Sequence, residues 1–375
     1  MELTKCKLGE LITQRREKND GSDLPICGVS KDGLIPPKQK DADTSIYNVF
    51  YRDDFIFNPA RMELNSIAIN DMYDRAICSS LYEVFYVHRT DLLLPHYLEL
   101  IIRQKWFTRY CKFLGQGSAR EYCRFGNISE IEIEFPPIEE QQKIVEYNTA
   151  IENRIALKQK INDNLATQAL TLFSDFVSHR SKKLEQRKLG DVIASANTGG
   201  DAIQKVPIVD YDTGIKCARV GDITNAREYA SWAFCNASKS VYDNYKLQAG
   251  DILVTRPATL GITQYIAKDI SAVYNNGLIR LKVDDTNALS LYIYWAMKTS
   301  DFLNYINQMN SATSVRPNMK IDYLLNYQLS IPSIEEQTQF TNAVEPLMKA
   351  ISLNNDEILK LSEFQAIILT TLSSR

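Results

Sequence analysis

The apolar positions of the chain change period in an order that occurs twice. Runs such as Phe55 to Phe57, Leu81 to Val87, Ile252 to Val254 and Leu278 to Val283 are apolar throughout or alternate with polar residues. That period of two predicts short strands, buried or half-buried. Each set of strands is followed by apolar and aromatic residues at three and four spacing, Pro95 to Leu114 and Leu289 to Met309, which predicts one helix in each half. A loop bearing glycine or serine comes next (115–120 and 311–316), then a last strand, Ile128 to Phe135 or Leu324 to Ile331. Each half closes on about 40 residues without glycine, Phe135 to Phe176 and Ile331 to Leu372, where the pattern predicts a long helix.

The two long stretches share an identical Ile-Glu-Glu-Gln, Ile138 to Gln141 and Ile334 to Gln337, 196 residues apart. Other segments keep the same relation. Lys7-Leu8-Gly9-Glu10 matches Lys188-Leu189-Gly190-Asp191, and Ala76-Ile-Cys-Ser-Ser80 matches Ala272-Val-Tyr-Asn-Asn276. Asp54-Phe-Ile-Phe-Asn-Pro-Ala60 matches Asp251-Ile-Leu-Val-Thr-Arg-Pro-Ala258, the second with one extra residue. The repeat therefore covers the whole chain.

A heptad seam runs along the second long stretch through Phe340, Val344, Leu347, Ile351, Asn354, Ile358, Leu361, Gln365, Ile368 and Leu372. The same register in the first stretch gives Ile144, Asn148, Ile151, Ile155, Lys158, Asn162, Leu165, Ala169, Leu172 and Phe176. Neither helix hides such a seam alone, so the two are expected to pack on each other as an antiparallel pair. At about 1.5 Å per residue each would span roughly 60 Å. Lys158 and Asn354 are equivalent polar interruptions that would fix register at some cost in stability. Pro346 should kink the second helix.

Composition sharpens this picture mainly by exclusion. With 45% apolar and 24% charged residues, the 375-residue chain is an ordinary globular mixture able to form several cores. No apolar run is long enough to cross a bilayer and the first residues carry no apolar signal region, so a cytoplasmic location without membrane contact is expected. Seven scattered cysteines without a Cys-x-x-Cys argue against a disulfide framework or a zinc site and for reduced, mostly buried thiols. The net charge of −3 gives no global case for nucleic acid; DNA would have to be met by placed clusters.

Catalytic constellations are not found. Phe113-Leu-Gly-Gln-Gly117 fits a Phe-x-Gly-x-Gly methyl-donor loop, and Asn58-Pro59-Ala60 faintly matches Asn-Pro-Pro-Tyr. The first follows an amphipathic helix instead of a buried strand, and the second lacks the other proline and the aromatic. The three histidines have no metal partner at helical spacing, and Glu139-Glu140 and Glu335-Glu336 suit a helix N-terminus better than acid–base work. What remains is recognition. Residues 103–125 hold Arg103, Lys105, Arg109, Arg120 and Arg124 among aromatic residues, with Ser118 in the loop. The second half offers Thr313, Ser314, Arg316, Asn318 and Lys320 at the matching loop. Asn58 and Arg61, Thr255 and Arg256, Asn275 and Asn276, and Lys216 with Arg219 complete the candidates for phosphate and base contacts.

Two units of about 150 residues, each ending in a strand, Pro-x-Ile-Glu-Glu-Gln and a long helix, resemble the specificity (S) subunit of type I restriction-modification systems. The resemblance covers essentially the full chain; only Ser333 departs from the Pro-Pro-Ile-Glu-Glu-Gln of Pro136 to Gln141. It implies an α+β fold with two homologous target recognition domains of short strands with few helices, 1–136 and 181–333. These are separated by a pair of long antiparallel coiled-coil helices, 137–180 and 334–375, in a pseudo-two-fold symmetric arrangement. It also implies a non-catalytic subunit that reads a bipartite double-stranded DNA target and positions two methyltransferase subunits, with restriction subunits where a system has them. No cofactor is expected on this chain; S-adenosylmethionine would sit on the partner methyltransferase. The seam residues Ile144, Ile151, Ile155, Leu165, Leu172, Phe340, Val344, Leu347, Ile351, Ile358, Leu361 and Ile368 would form the helix–helix and partner interface. A stand-alone methyltransferase with a fused reader would need a further cofactor domain, and a protein scaffold without DNA would show no sequence-specific footprint.

Overall fold

The computed structural model describes residues 3–31, 33–37, 43–115, 122–179, 185–200, 206–312 and 318–373. The chain forms two compact units, residues 1–155 with 361–375, and residues 156–360. Both use the same plan, an antiparallel four-stranded sheet with helices on one face and a second four-stranded sheet on the other.

In the first unit the strands are β1 (Thr4–Lys7), β2 (Ile12–Arg15), β3 (Ile26–Ser30), β4 (Gly33–Ile35), β5 (Asn48–Tyr51), β6 (Phe55–Phe57), β7 (Ile67–Ile69), β8 (Arg75–Cys78) and β9 (Glu83–Val87). Helices α1 (Pro95–Ile102), α2 (Lys105–Gly115) and α3 (Phe125–Ser129), strand β10 (Glu132–Phe135) and the long α4 (Ile138–Ser178) follow. One sheet has the order β2-β9-β6-β7, the other β4-β3-β8-β5 with β3 and β8 parallel, and β1 pairs with β10. β6 is apolar throughout because both of its faces are covered. Phe55 and Phe57 enter the core beneath the helices, while Ile56 enters the core between the sheets. Each such side chain contributes on the order of 1.5–3 kcal/mol of burial, so β6 is the rigid centre of the unit.

The second unit repeats this with β11 (Glu185–Lys188), β12 (Ile193–Thr198), β13 (Ile208–Val209), β14 (Lys216–Ala218), α5 (Val220–Thr224), β15 (Phe234–Cys235), α6 (Lys239–Tyr245), β16 (Ile252–Thr255), β17 (Thr263–Tyr265), β18 (Ala272–Tyr274) and β19 (Leu278–Val283). α7 (Ser290–Ala296), α8 (Ser300–Ala312), α9 (Ile321–Leu325), β20 (Gln328–Ile331) and α10 (Ile334–Ser373) complete it. The sheet orders are β12-β19-β16-β17 and β13-β15-β14-β18, with β14 and β18 parallel, and β11 pairs with β20. β16 takes the place of β6, with Ile252 and Val254 toward the helices and Leu253 toward the second sheet.

The short helices and the last strands depart from the sequence expectation. The single helices expected at Pro95–Leu114 and Leu289–Met309 are each broken in two. In the second unit Thr299 accepts a hydrogen bond from the Phe302 N–H at 3.4 Å and caps a new helix; in the first, the break falls at Arg103 and the buried Gln104, whose side-chain oxygen accepts from the Trp106 indole. The last strands also start later than Ile128 and Leu324, which lie in α3 and α9.

The shared Ile-Glu-Glu-Gln is explained by its glutamine. Gln141 is fully buried; its amide donates to the Leu92 and Pro136 carbonyls at 2.7 and 2.8 Å, and its oxygen accepts from the Leu94 N–H at 2.9 Å. Gln337, equally buried, donates to the Pro332 carbonyl at 2.9 Å and accepts from the Leu289 N–H at 2.7 Å. Each glutamine ties the start of a long helix to the chain entering the first short helix of its own unit. Ser333, the departure from the first copy, forms a capping box with Glu336, whose carboxylate accepts from the Ser333 N–H at 3.1 Å while the Ser333 oxygen accepts from the Glu336 N–H at 3.3 Å.

In the second unit the long helices run antiparallel. Phe173 and Phe176 pack on Phe340 with ring centroids 5.2 and 5.5 Å apart, and further along Lys158 Nζ meets Asn354 at 2.9 Å and Glu357 at 3.0 Å. Asn354 donates to Asn162 at 2.8 Å, so polar seam positions face polar ones. In the first unit Gln365 donates to Asn148 at 3.0 Å and Glu152 at 3.1 Å. Ile151, Phe340 and Val344 are buried, and Ile144, Ile155, Leu165, Leu347, Ile351, Ile358, Leu361 and Ile368 are half-buried. Leu172 is a correction. It is 41% exposed, and Ala169 and Phe173 are buried in its place. An α-helix drifts by about 20° per heptad from a strict 3.5 repeat, and near its end the apolar face has moved one residue on. α10 continues through Pro346.

Candidate nucleic-acid interface

The backbone hydrogen bonds of each unit bring three separate segments to one place, the turn that follows the central strand. In the first unit that turn is Asn58 to Arg61. Asn58 caps the 3-10 turn Pro59–Leu64, accepting from the Ala60 N–H at 3.1 Å. The Cys123 N–H donates to the Pro59 carbonyl at 3.0 Å, which brings residues 122–124 beside it. A cleft of about 850 Å³ opens here, lined by Lys31, Asn58, Arg61, Ser79, Tyr82 and Arg124 among others. Arg61 and Arg124 are exposed. The Arg124 guanidinium lies 5.5 Å from the Tyr122 ring and 3.5 Å from the Glu83 carboxylate, which also accepts from the Phe125 N–H at 2.7 Å. Cations, hydroxyls and tyrosine rings around one opening are the groups that meet phosphate oxygens and base edges.

In the second unit the turn is Arg256 to Ala258. The Arg256 N–H donates to the Gly277 carbonyl at 3.1 Å, placing Asn275 and Asn276 alongside, and the Met319 N–H donates to the Arg256 carbonyl at 2.8 Å, placing Asn318 and Lys320 alongside. Pro257 and Asn318 form an antiparallel bridge. The Asn275 N–H donates to the Ala218 carbonyl at 3.0 Å, so Arg219 joins the same edge, with its Nε 3.2 Å from Asp222. This closeness depends on glycine: a Cβ on Gly277 would stand 2.4 Å from Val220, and one on Gly199 2.2 Å from the Tyr274 carbonyl.

Other expected contacts fall elsewhere. Thr255 is fully buried, donating to the Thr259 carbonyl at 2.5 Å and accepting from the Ile262 N–H at 3.0 Å, so its side chain is taken up in supporting the turn. Lys216 donates to the Ala230 carbonyl and sits over the Tyr229 and Phe234 rings at 5.1 and 4.9 Å, a packing role. Arg103 donates to the Lys31 carbonyl at 2.5 Å and to Glu99 at 3.2 Å. Burial raises the Glu99 pKa, but the His96 hydrogen bond and the Arg103 charge outweigh it and hold the carboxyl below its usual range. Lys105 and Arg109 are exposed on α2, on the face away from buried Phe107 and Cys111. Ser118, Arg120, Thr313, Ser314 and Arg316 lie outside the described residues. Sequence reasoning missed Lys31 and Ser79 in the cleft, although Ser79-Ser80 is the repeat partner of Asn275-Asn276.

Among the described residues no three or more His, Cys, Asp or Glu side chains gather closely enough to hold a metal. Gly115 is the last described residue of α2, the rest of the glycine-rich stretch lies outside the described residues, and Asn58 is a cap. No helix among the described residues is long and apolar enough to cross a membrane.

The family model described as the type I restriction modification DNA specificity domain matches residues 9–167 and again 181–363. A curated relative, the type I restriction enzyme MjaIX specificity subunit of Methanocaldococcus jannaschii, is 23% identical over 313 residues, spanning 75% of this chain and 69% of that protein. In fold the chain is similar to the crystal structure of the type I restriction-modification S subunit from M. genitalium, with a TM-score of 0.56 at 14% identity over 99% of this chain and 96% of that one. The doubled match agrees with the doubled fold and the doubled turn, and the chain belongs to the type I restriction-modification DNA specificity family, a DNA sequence-specificity subunit with two recognition domains.

Proposed function

We propose that the chain reads a bipartite DNA target, each unit taking one half-site at the turn after its central strand, and holds two adenine methyltransferase subunits over the bound DNA. The observation that carries this reading is the convergence, in both units, of the same three repeat-related segments on that turn. Exposed apolar side chains on the long helices supply docking surface for partners: Tyr147, Phe364 and Ile367 in the first unit, Leu157 and Leu353 in the second. S-adenosylmethionine belongs to the methyltransferase subunits in this scheme, and restriction subunits join where a system includes them.

Co-expression with its methyltransferase subunit, followed by genome-wide mapping of modified adenines, tests the proposal. The expected result is one motif of two short specified blocks separated by an unspecified spacer. A continuous motif, or modification independent of this chain, would refute it.

A further inference from the structure

The two turns occupy the same place in their units, yet they present different polar side chains, Asn58 in one and Arg256 in the other. Asp54 and Asp251 are both 2% exposed and both accept a backbone N–H three residues upstream, from Tyr51 at 2.7 Å and from Gln248 at 2.8 Å. From that shared anchor the central strands β6 and β16 run out to Asn58 in one unit and Arg256 in the other, each followed by Pro-Ala. By backbone register Asn58 matches Thr255, whose N–H donates to the Ile262 carbonyl at 3.0 Å as the Asn58 N–H does to Ser66. Arg256 matches Pro59, whose carbonyl accepts from Cys123 as that of Arg256 does from Met319; Arg256 therefore stands one residue further along its turn than Asn58.

Both positions are held from two sides by backbone. The Asn58 N–H donates to the Ser66 carbonyl at 3.0 Å and its carbonyl accepts from Arg61 at 2.9 Å. The Arg256 N–H donates to Gly277 and its carbonyl accepts from Met319. Both side chains are half-buried, a placement that limits their freedom more than that of exposed Arg61, Lys105 or Arg109. Arg256 also differs from Arg103, Arg124 and Arg219, each of which meets a carboxylate. Among the described residues its guanidinium meets only the oxygens of Asn276, at 3.4 and 3.5 Å. Ala258, two residues on, has φ of 59°, a left-handed conformation that a non-glycine residue adopts only where surrounding structure enforces it.

An asparagine amide presents one donor and one acceptor and matches adenine N7 and N6; a guanidinium fork matches guanine O6 and N7. We propose that Asn58 and Arg256 are the base readers of the corresponding turns, Asn58 specifying an adenine in the first half-site and Arg256 a guanine in the second. The inference rests on the reading of each unit as a half-site reader.

The test maps modified adenines with the chain and its methyltransferase co-expressed, comparing wild type with Asn58→Asp and Arg256→Lys. Aspartate keeps the cap on the Ala60 N–H but loses the amide donor; lysine keeps the charge but loses the fork. Asn58→Asp should relax one A·T pair of the first block by roughly tenfold or more, and Arg256→Lys one G·C pair of the second, each with the other block unchanged. An unchanged motif, a change in the wrong block, or modification lost as a whole would each overturn the assignment. A wild-type chain that gives no bipartite motif would instead defeat the underlying reading.

Discussion

At the scale of single residues, the most consequential side chains are polar and buried, and their roles come from partners distant in sequence. Gln141 satisfies two carbonyls and one N–H that would otherwise be orphaned. Because an unsatisfied buried group costs about 1–3 kcal/mol, Gln141→Ala should lower the unfolding free energy by roughly 2–3 kcal/mol in urea denaturation. Lys298 offers a pH-dependent case. Its Nζ donates to the Thr263 carbonyl at 2.8 Å and lies 5.0 Å from the Tyr294 ring, and burial lowers its pKa from 10.5 to about 8. Below pH 8 both folded and unfolded chains hold the proton and the folded state bears the cost of the buried charge. Between pH 8 and about 10.5 only the unfolded chain holds it, so this residue's penalty falls as pH rises. Lys298→Met should therefore melt higher than wild type at pH 7, with the difference shrinking toward pH 10 in thermal scans. A pH-independent difference would show that the charge is not the cause.

Elements were legible in the sequence wherever periodicity alone fixes them. β6 and β16 were found because strands covered on both faces are apolar at every position, and the long helices because their seam persists for ten positions. The helix breaks at Gln104 and Thr299 were not, since the apolar spacing runs through both; only the Thr299-Ser300-Asp301 cap sequence signalled the second. Leu172 was misplaced because a strict heptad was carried to the end of a helix that drifts from it. The two equivalent polar interruptions, Lys158 and Asn354, meet each other, a contact the seam alone did not specify, and it makes a sharp prediction about register. Asn354→Leu alone leaves Lys158 and Asn162 facing an apolar group and should cost about 1–2 kcal/mol. Adding Lys158→Leu should recover most of that loss in the same thermal scan while weakening the preference for a single register.

For the molecule as a whole, the duplication carried the functional reading, and it did so without any motif for base contact. Repeat-equivalent segments were visible in the sequence, but their convergence on one turn was not, because it depends on backbone bonds between residues 60 or more apart, Pro59 with Cys123 and Arg256 with Met319. Thr255 and Lys216, plausible by composition, instead donate to the Thr259 and Ala230 carbonyls. The central claim is that each unit reads its half-site independently. It is tested most directly by replacing residues 181–333 with a second copy of residues 1–136, co-expressing that chain with the methyltransferase subunit, and mapping modified adenines. The account predicts a symmetric motif in which the first half-site occurs twice as an inverted repeat. Persistence of the original second half-site, or alteration of the first, would contradict it.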